Sequence, residues 1–422
     1  AYRVPGGDTV VMNRLQEILQ KTGMQIDFSS DYHPDLSDYD LVHIFNLTVP
    51  HYTEAFAKNA INAGVPYVVT TLQEDFRKYQ IKANFATRLF WMYRDKKQLP
   101  QIFEMGLAEL LTLPEARDTT SLIAGTFAEA LLACGASEGK TLNRLFPNTA
   151  IEIAPFGCSV KDIDVGPELF ERKYGVKDFI LCVGRMESRK NQLMLLKALE
   201  FDDIPIVFCI GATHEKSEYM RLCREFKRKG KTIFAEKLSD EMLVSAYRAA
   251  KVHCLPSWFE LPGLVTLEAA YYGCNAVASN WGSIGDYATT DDCWFISPDD
   301  PNGMRTVLLD AMMAPRSSKS SNKIKDFSWE RSAKTVTNIY NKVVGDFKTR
   351  NMHSFLEISN EPRPTPSMSS FFGSILEEID NKNFAEAIKT YKNGKVNYPP
   401  CEELDKFDTL MIKLSGKLGG QS

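Results

Sequence analysis

The sequence has few features of a metal centre, a disulfide-stabilised fold or a membrane span. Its nine cysteines stand singly, without a CxxC pair or a Cys/His cluster, and several lie in apolar runs such as "FILCVG" and "IVFCIG". Such scattered cysteines favour buried, reduced thiols of a cytoplasmic protein over disulfides or zinc ligands. No apolar run approaches the roughly 20 residues that cross a bilayer.

A large excess of charge is also absent. The 50 basic and 54 acidic side chains give a net charge of −4, so the overall balance does not indicate nucleic acid as a partner. At 422 residues the chain exceeds one ordinary core, and two domains with an addition are expected. No secretory leader is recognisable. The opening "AYRVPGG" is typical of the end of a strand whose beginning is missing.

Strand-like and helix-like segments alternate in two series. The first covers residues 9 to about 155, with "MQIDFSS", "YDLVHIFN", "VPYVVTT" and "SLIAGT" as strands. The second begins near residue 179, with strands in "FILCVG", "IPIVFCIG", "KTIFAE", "VHCLPS", "NAVASN" and "CWFISP". This alternation predicts α/β architecture with two doubly wound, Rossmann-like parallel sheets, which bind ligands in a cleft at the carboxyl ends of their strands.

Composition suggests where the domains end. We expect an N-terminal domain over 1–160, a C-terminal domain with a closing helix over 161–345, and a helical extension over 346–422. The extension begins with the Pro/Ser-rich hinge "SNEPRPTPSMSS". A small helical hairpin is expected beyond the hinge, in which "NKNFAEAIKTY" weakly resembles a tetratricopeptide helix pair.

Two glutamates flank a Pro-Gly step in "FELPGLVTLEA". The backbone amides of Gly263, Leu264 and Val265 are expected at a helix N-terminus, which suits a phosphate group. Carboxylates repel phosphate, so Glu260 and Glu268 are better suited to accept hydrogen bonds from sugar and ribose hydroxyls. The segment alone is equally consistent with two solvated charges.

Two cations follow the first strand of the second series. In "CVGRMESRKNQ", Arg185 and Lys190 come after the strand end, where a diphosphate would lie. Such residues are more often solvated surface charges. Their combination with the two glutamates of the same domain favours a nucleotide-sugar site.

These stretches together resemble a known family. The runs "GRMESRKN", "LPSWFELPGLVTLEAAYYGCNAVASNWGSIGDY" and "FSWERSA" are similar to the donor domain of family 4 retaining glycosyltransferases, which have the GT-B fold. The resemblance implies sugar transfer from a nucleotide diphosphate sugar with retention and without a metal or other cofactor. It implies that Arg185 and Lys190 neutralise the diphosphate, that Glu260 lies at the sugar, and that Glu268 binds the ribose. It also gives the amides of 263–265 a role in binding phosphate or sugar hydroxyls.

The N-terminal half resembles the family in part. "VPGGDTVV" is similar to its glycine loop, in which Gly6 and Gly7 let the backbone approach the donor phosphate. Many members carry a histidine after the strand in "PYVVTTLQEDF", where this chain has Leu72-Gln73-Glu74-Asp75. Gln73 can bond a sugar hydroxyl but cannot act as an acid or base near neutral pH. His43 could instead line the cleft, although a histidine in the core or facing a helix is the more common case.

A basic and aromatic helix is expected at residues 76–97. Such helices lie on anionic membranes, and many relatives glycosylate lipid-borne acceptors. The alternative is a helix that packs its aromatic side chains on its own domain and exposes its basic ones. The residues concerned are Phe76, Tyr79, Phe85, Phe90, Trp91 and Tyr93, with Arg77, Lys78, Lys82, Arg88, Arg94, Lys96 and Lys97.

The leading interpretation is therefore an enzyme, with a nucleotide sugar as donor and a glycan or lipid-linked acceptor. A catalytically silent GT-B partner or scaffold that binds nucleotide sugar is the main alternative, and a sugar-nucleotide epimerase is a third. No metal is expected, because no Asp-x-Asp follows a strand beside the predicted phosphate site. Asp299-Asp300 in "SPDDPNG" is typical of a turn.

Overall fold

The computed structural model describes residues 7–73, 76–95, 100–114, 120–211, 217–316, 326–357, 368–381, 383–395 and 402–419. Gly6 and most of the expected Pro/Ser-rich hinge lie outside these ranges, as do residues 96 and 97 of the basic helix. Among the described residues, no helix is both long enough and apolar enough to cross a membrane.

The first domain is built on a parallel sheet of four strands in the order β1-β2-β3-β4. These are β1 (Val42–Phe45), β2 (Tyr67–Thr70), β3 (Ala130–Ala133) and β4 (Ala150–Ile153). The helices encoded along this part of the chain are α1 (Gly7–Lys21), α2 (Pro50–Ala63), α3 (Phe76–Asp95), α4 (Pro100–Thr112), α5 (Leu122–Thr126) and α6 (Ala136–Leu145).

Two predicted strands of this domain are wrong. "MQIDFSS" forms no strand, and "SLIAGT" contributes the short helix α5. Ser121 begins α5 because its Oγ accepts a hydrogen bond from Ala124 N at 3.3 Å. The strand nearby is β3, whose sequence "ALLA" has weak strand propensity but is fully buried between two neighbouring strands.

The second domain contains a six-stranded parallel sheet in the order β10-β9-β8-β5-β6-β7. All six predicted strands are confirmed, as β5 (Ile180–Gly184), β6 (Ile206–Ile210), β7 (Thr232–Glu236), β8 (Val252–Leu255), β9 (Asn275–Ser279) and β10 (Trp294–Ile296). The chain runs outward from β5 to β7 and then returns to β8 on the other side of β5. The carboxyl ends of β5 and β8 therefore form the crevice in which such sheets bind ligands.

Helices cover the second sheet on both faces, as its buried apolar strands require. They are α7 (Glu168–Tyr174), α8 (Gln192–Ala198), α9 (Glu218–Glu225), α10 (Asp240–Ala249), α11 (Val265–Tyr271) and α12 (Pro301–Met313). Helix α13 (Trp329–Glu357) follows them in the chain. The last helix continues beyond residue 345, where we expected it to end, and returns to the first domain. There Lys342 pairs with Glu152 at 2.9 Å, and Val336 and Ile339 join the core formed with α1.

Helices α3 and α4 pack on the second domain, although they are encoded between two strands of the first. Phe90 and Phe103 are buried in the same core as residues of α8 and α9. A buried polar group adds to this contact: Tyr93 OH donates to Glu200 Oε2 at 3.0 Å, and Lys197 Nζ donates to the same oxygen at 2.6 Å. Helices α3 and α4 thus connect the two domains independently of the linker.

The C-terminal extension contains more helix than the expected hairpin. Its helices α14 (Met368–Asp380), α15 (Phe384–Gly394) and α16 (Glu402–Gly419) share one core with residues of α5. Phe407 lies 4.4 Å from Phe127, ring centre to ring centre, and Asn148 Nδ2 donates to Thr409 Oγ1 at 2.7 Å. The extension is therefore packed against the first domain.

Candidate functional site

Lys190 and Glu260 meet at the crevice between β5 and β8. Lys190 ends a 3-10 turn that follows β5, and Glu260 lies in the segment after β8. Because β5 and β8 are neighbours, the two side chains come together: Lys190 Nζ donates to Glu260 Oε1 at 2.5 Å. Burial alone would raise the pKa of Glu260, but Lys190 and Arg189 outweigh it and hold the pKa below its usual value. Glu260 is therefore an ionised carboxylate in a buried position.

Further cations surround this pair. Arg185 Nη2 and Arg189 Nη2 both donate to Glu187 Oε1, at 3.3 and 3.2 Å. Arg189 Nη1 also donates to the carbonyl of Phe259 at 3.1 Å, next to Glu260 in the sequence. The sequence interpretation missed Arg189. Arg189 could have been predicted as a further cation of the site, because it lies between Arg185 and Lys190 in the predicted phosphate site.

The segment around Glu260 is held by backbone contacts. Glu260 forms a parallel bridge with Gly282, and Ser283 N donates to Glu260 O at 3.0 Å. Gly282 has φ of +105°, and a Cβ there would lie 2.3 Å from Glu260 O. Only glycine fits this close approach. The backbone of residues 281–283 therefore holds the backbone of Glu260 in place.

The predicted helix N-terminus is present beside Glu260. Gly263 has φ of +77°, α11 begins at Val265, and Thr266 N donates to Gly263 O at 3.0 Å. The amides of Gly263, Leu264 and Val265 thus precede the first helical hydrogen bond. Their predicted role in binding phosphate or sugar hydroxyls stays a prediction.

Glu268 has a different neighbour from Glu260. Its Oε1 accepts a hydrogen bond from Ser159 N at 3.0 Å, in the linker between the domains. Burial raises the pKa of Glu268 above its usual value. The two glutamates of the motif therefore have opposite pKa shifts, and the predicted contact of Glu268 with a ribose stays a prediction.

The first domain contributes Gln73 at the carboxyl end of β2. Gln73 N donates to Glu138 Oε1 at 2.6 Å, and Gln73 Nε2 donates to Thr120 Oγ1 at 2.7 Å. Its Oε1 is buried and has no hydrogen-bond partner within the described ranges. The sequence interpretation gave no role to Glu138. Gly7 begins α1, and its predicted contact with donor phosphate stays a prediction, as does that of Gly6.

The N-terminal half of α3 lies over the crevice of the second domain. The helix contacts the turn at 188–190. Tyr79 stacks on Phe259 with ring centres 5.6 Å apart, and Lys82 Nζ lies 5.3 Å from the centre of the Trp281 ring. Tyr79 follows Gln73 by six residues in the sequence, so the end of β2 leads into the helix that covers this crevice.

His43 does not line the crevice. Its Nδ1 hydrogen bonds with Tyr340 OH at 2.5 Å and its Nε2 with Thr70 Oγ1 at 2.7 Å, between the first sheet and α13. Burial lowers the pKa of His43 to about 3, so the ring stays neutral at physiological pH. The alternative of a histidine facing a helix is the one observed.

Metal-binding side chains do not cluster in the described ranges, where no group of three or more His, Cys, Asp or Glu residues is placed to hold an ion. The Asp299-Asp300 turn has a structural role. Asp300 begins α12, and its Oδ1 accepts hydrogen bonds from Asn302 N at 3.1 Å and Gly303 N at 2.9 Å. The cysteines of the described ranges are unpaired and buried.

Comparison with solved structures shows the fold. Sucrose-phosphate synthase from Thermosynechococcus elongatus superposes with a TM-score of 0.51 at 19% identity, covering 73% of this chain and 74% of that one. An α,α-trehalose-phosphate synthase from Burkholderia xenovorans gives 0.50 at 11% identity, with 79% and 77% coverage. The chain has the GT-B fold. The predicted fold class, with two parallel sheets and a helical C-terminal part, is therefore confirmed.

Sequence comparison concerns mainly the second domain of this GT-B chain. Residues 170–325 match the family model described as glycosyl transferases group 1. An uncharacterised glycosyltransferase of Methanocaldococcus jannaschii is 29% identical over 189 residues, 40% of this chain and 47% of the relative. A D-inositol 3-phosphate glycosyltransferase of Corynebacterium diphtheriae is 34% identical over 112 residues, 24% of this chain and 26% of the relative. The chain thus spans half or less of the length of these relatives.

The matched region contains the second-domain residues of the site. Arg185, Lys190, Glu260 and Glu268 all lie within residues 170–325. Gln73 lies outside that region, so the match to the family model does not include it.

Proposed function

We propose that the chain is a retaining, metal-independent glycosyltransferase that moves a sugar from a nucleotide diphosphate sugar to an acceptor. The observation that carries this proposal is the buried Lys190–Glu260 pair at the β5/β8 crevice, flanked by Arg185 and Arg189. The similarity of residues 170–325 to group 1 glycosyl transferases supports it.

The charges of the site suit a diphosphate leaving group. Three cations, Arg185, Arg189 and Lys190, face two carboxylates, Glu187 and Glu260, which leaves one net positive charge. A diphosphate that draws Lys190 towards its oxygens would release Glu260 to accept hydrogen bonds from hydroxyls of the transferred sugar. Each charge-assisted hydrogen bond contributes about 1.5 to 3 kcal/mol. Charged groups that are already in place before the reaction usually make the largest single contribution to stabilising the transition state.

The proposed reaction needs no covalent intermediate. The bond between the anomeric carbon and the diphosphate oxygen breaks as the acceptor oxygen forms its bond on the same face of the sugar. The acceptor proton passes to the departing phosphate oxygen. In this scheme the cations stabilise the charge that grows on the diphosphate, and Gln73 contributes hydrogen bonding without proton transfer.

The acceptor is proposed to be a glycan or a lipid-linked precursor.

Contact of α3 with a membrane stays a prediction, as does a cytoplasmic location. Tyr79, Phe90 and Tyr93 are buried, which favours the alternative of an internal helix, whereas Arg88 and Met92 are exposed. Cosedimentation with anionic vesicles tests membrane contact: Arg88→Glu should reduce vesicle binding, and equal sedimentation with and without vesicles would exclude it.

A transfer assay tests the proposed function. A thermal-shift screen of nucleoside diphosphates and their sugars first selects the donor, and release of the nucleoside diphosphate is then measured with candidate acceptors in EDTA. We expect full activity in EDTA with the anomeric configuration retained. Nucleotide binding without hydrolysis or transfer would instead indicate a silent binding protein, and a strict Mg²⁺ or Mn²⁺ requirement would contradict metal independence.

A further inference from the structure

Glu138 is a buried carboxylate that the proposed reaction does not use. It lies in the first turn of α6, directly after β3, and only 3% of the residue is exposed. Its Oε1 accepts hydrogen bonds from Thr71 Oγ1 at 2.5 Å and from Gln73 N at 2.6 Å, and its Oε2 accepts one from Cys134 N at 2.6 Å. A carboxylate can satisfy all three donors because it only accepts.

These hydrogen bonds determine how the chain leaves β2. Thr71 and Gln73 lie on either side of Leu72, whose φ of +44° is unusual for a residue with a branched side chain. The surroundings must hold such a conformation in place. Glu138 bonds to the residues before and after Leu72, so it holds the backbone that presents Gln73.

The second domain contacts the same short segment of the first. Asp286 Oδ2 accepts a hydrogen bond from Ser137 N at 2.8 Å, and its Oδ1 accepts one from Ser137 Oγ at 2.6 Å. Tyr287 OH donates to the carbonyl of Cys134. The segment 134–138 is therefore bonded on one side to the second domain and, through Glu138, on the other side to the backbone of Gln73.

We propose that Glu138 is a positioning residue for Gln73, and that the segment 134–138 connects the contact between the domains to the position of Gln73. The proposal rests on the proposed function, since it assigns Gln73 to the working site. When Asp286 and Tyr287 bond to the segment, Glu138 holds Thr71 and Gln73 in the arrangement described above. If the hydrogen bonds of Asp286 or of Tyr287 to the segment are lost, the end of β2 becomes less ordered.

A double-mutant cycle tests whether Glu138 acts through Gln73. Glu138→Gln keeps the size of the side chain but turns an amide NH₂ towards at least one of the three donors. We expect this change and Gln73→Ala each to lower kcat about 10-fold, with the Kd for nucleoside diphosphate unchanged. The double variant should be no slower than the slower single variant. Losses that multiply, or a weaker nucleotide Kd in Glu138→Gln, would overturn the proposal.

Amide hydrogen exchange provides a test that does not depend on turnover. In Glu138→Gln the amide of Gln73 should exchange faster, whereas amides of β5 should be unchanged. Glu152→Gln is the matched control, because Glu152 lies in the same domain and pairs with the exposed Lys342. Unchanged exchange at Gln73 would overturn the proposal even in an active enzyme. Faster exchange in a protein that transfers no sugar would contradict the proposed function alone.

Two further variants keep the test informative if Glu138→Gln folds poorly. Thr71→Val removes one of the three hydrogen bonds with little change of volume, and we expect a smaller rise in the exchange rate at Gln73. Asp286→Ala removes the contact with Ser137 and should raise exchange at both the 134–138 segment and Gln73. If Asp286→Ala affects the segment but leaves Gln73 unchanged, the connection between the domains is contradicted.

Discussion

Glu260 depends on Lys190 for its charge, because the carboxylate is buried and the ammonium group lies 2.5 Å from it. Lys190→Ala should therefore lower both activity and stability. We expect a loss of about 3 kcal/mol in the free energy of unfolding, since a buried charge loses its main partner while Arg189 remains. The rate of transfer should fall about 30- to 1,000-fold, equivalent to roughly 2 to 4 kcal/mol.

Arg185→Ala provides the contrast. Arg185 is about one-third exposed, and its partner Glu187 also bonds to Arg189. We expect a similar loss of rate but a change of less than about 1 kcal/mol in unfolding free energy. Lys177→Ala, an exposed change in the same domain, is the control and should affect neither quantity. Normal turnover of a folded Arg185→Ala/Lys190→Ala double variant would rule out the assignment of both cations.

The two glutamates should also affect the pH dependence of stability in opposite directions. The pKa of Glu260 is lowered from its usual 4.5, so its contribution to stability is present above pH 4.5 and is lost as the pH falls through the depressed pKa. The pKa of Glu268 is raised by burial, so its destabilising charge is relieved as the pH falls through that pKa. Urea unfolding of Glu260→Gln and Glu268→Gln between pH 3 and 7 should show opposite deviations from wild type, and parallel curves would contradict the shifts.

Ligand binding should separate the same two residues. If Glu268 holds the ribose, Glu268→Gln should weaken binding of the nucleoside diphosphate, because an amide is a poorer acceptor than a carboxylate. If Glu260 faces the transferred sugar, Glu260→Gln should lower turnover and leave nucleotide affinity nearly unchanged. Titration calorimetry and steady-state kinetics measure both effects. The reverse pattern would mean that the donor lies in the opposite orientation.

At the scale of helices and strands, the second domain was predictable because each of its strands is a short apolar run between helical segments. The first domain was less predictable. "ALLA" has the composition of a helix but is a strand because neighbouring strands bury it. "SLIAGT" looks like a strand but forms a helix, because its first residue, Ser121, is the helix cap. The docking of α3 on the second domain depends on contacts such as Tyr93 with Glu200, which are distant in sequence. Local periodicity cannot reveal such contacts.

The anchoring of α3 can be tested at Glu200. This carboxylate is buried with Lys197 and Tyr93, so Glu200→Ala would leave Lys197 without its carboxylate at the interface. We expect a loss of about 3 kcal/mol in unfolding free energy and faster amide exchange in α3. Glu225→Ala is the control, since Glu225 pairs with Arg94 at the exposed end of the same interface and should cost less than about 1 kcal/mol. Equal effects of the two variants would contradict a buried anchor.

For the whole molecule, the alternation of strands and helices predicted two parallel sheets, and the family resemblance added the GT-B fold. The spacing of motifs after strand ends placed Arg185, Lys190 and Glu260 at one crevice. The direct bond between Lys190 and Glu260, the contribution of Arg189 and the bonding of Glu138 to Gln73 were not predictable. Each depends on how neighbouring strand ends approach one another in space. The two domains meet through the linker, α3, α13 and the 284–287 segment, so the crevice is shaped by contacts along much of the chain.

The most direct test of the donor site is calorimetric titration of a panel of nucleoside diphosphates in EDTA into wild type, Lys177→Ala and Arg185→Ala. We predict that at least one nucleotide binds wild type and Lys177→Ala with the same Kd, and that Arg185→Ala binds it at least about 10-fold more weakly, the value of one charge-assisted hydrogen bond. Absence of binding to wild type, or unchanged affinity in Arg185→Ala, would contradict a nucleotide site at the β5/β8 crevice.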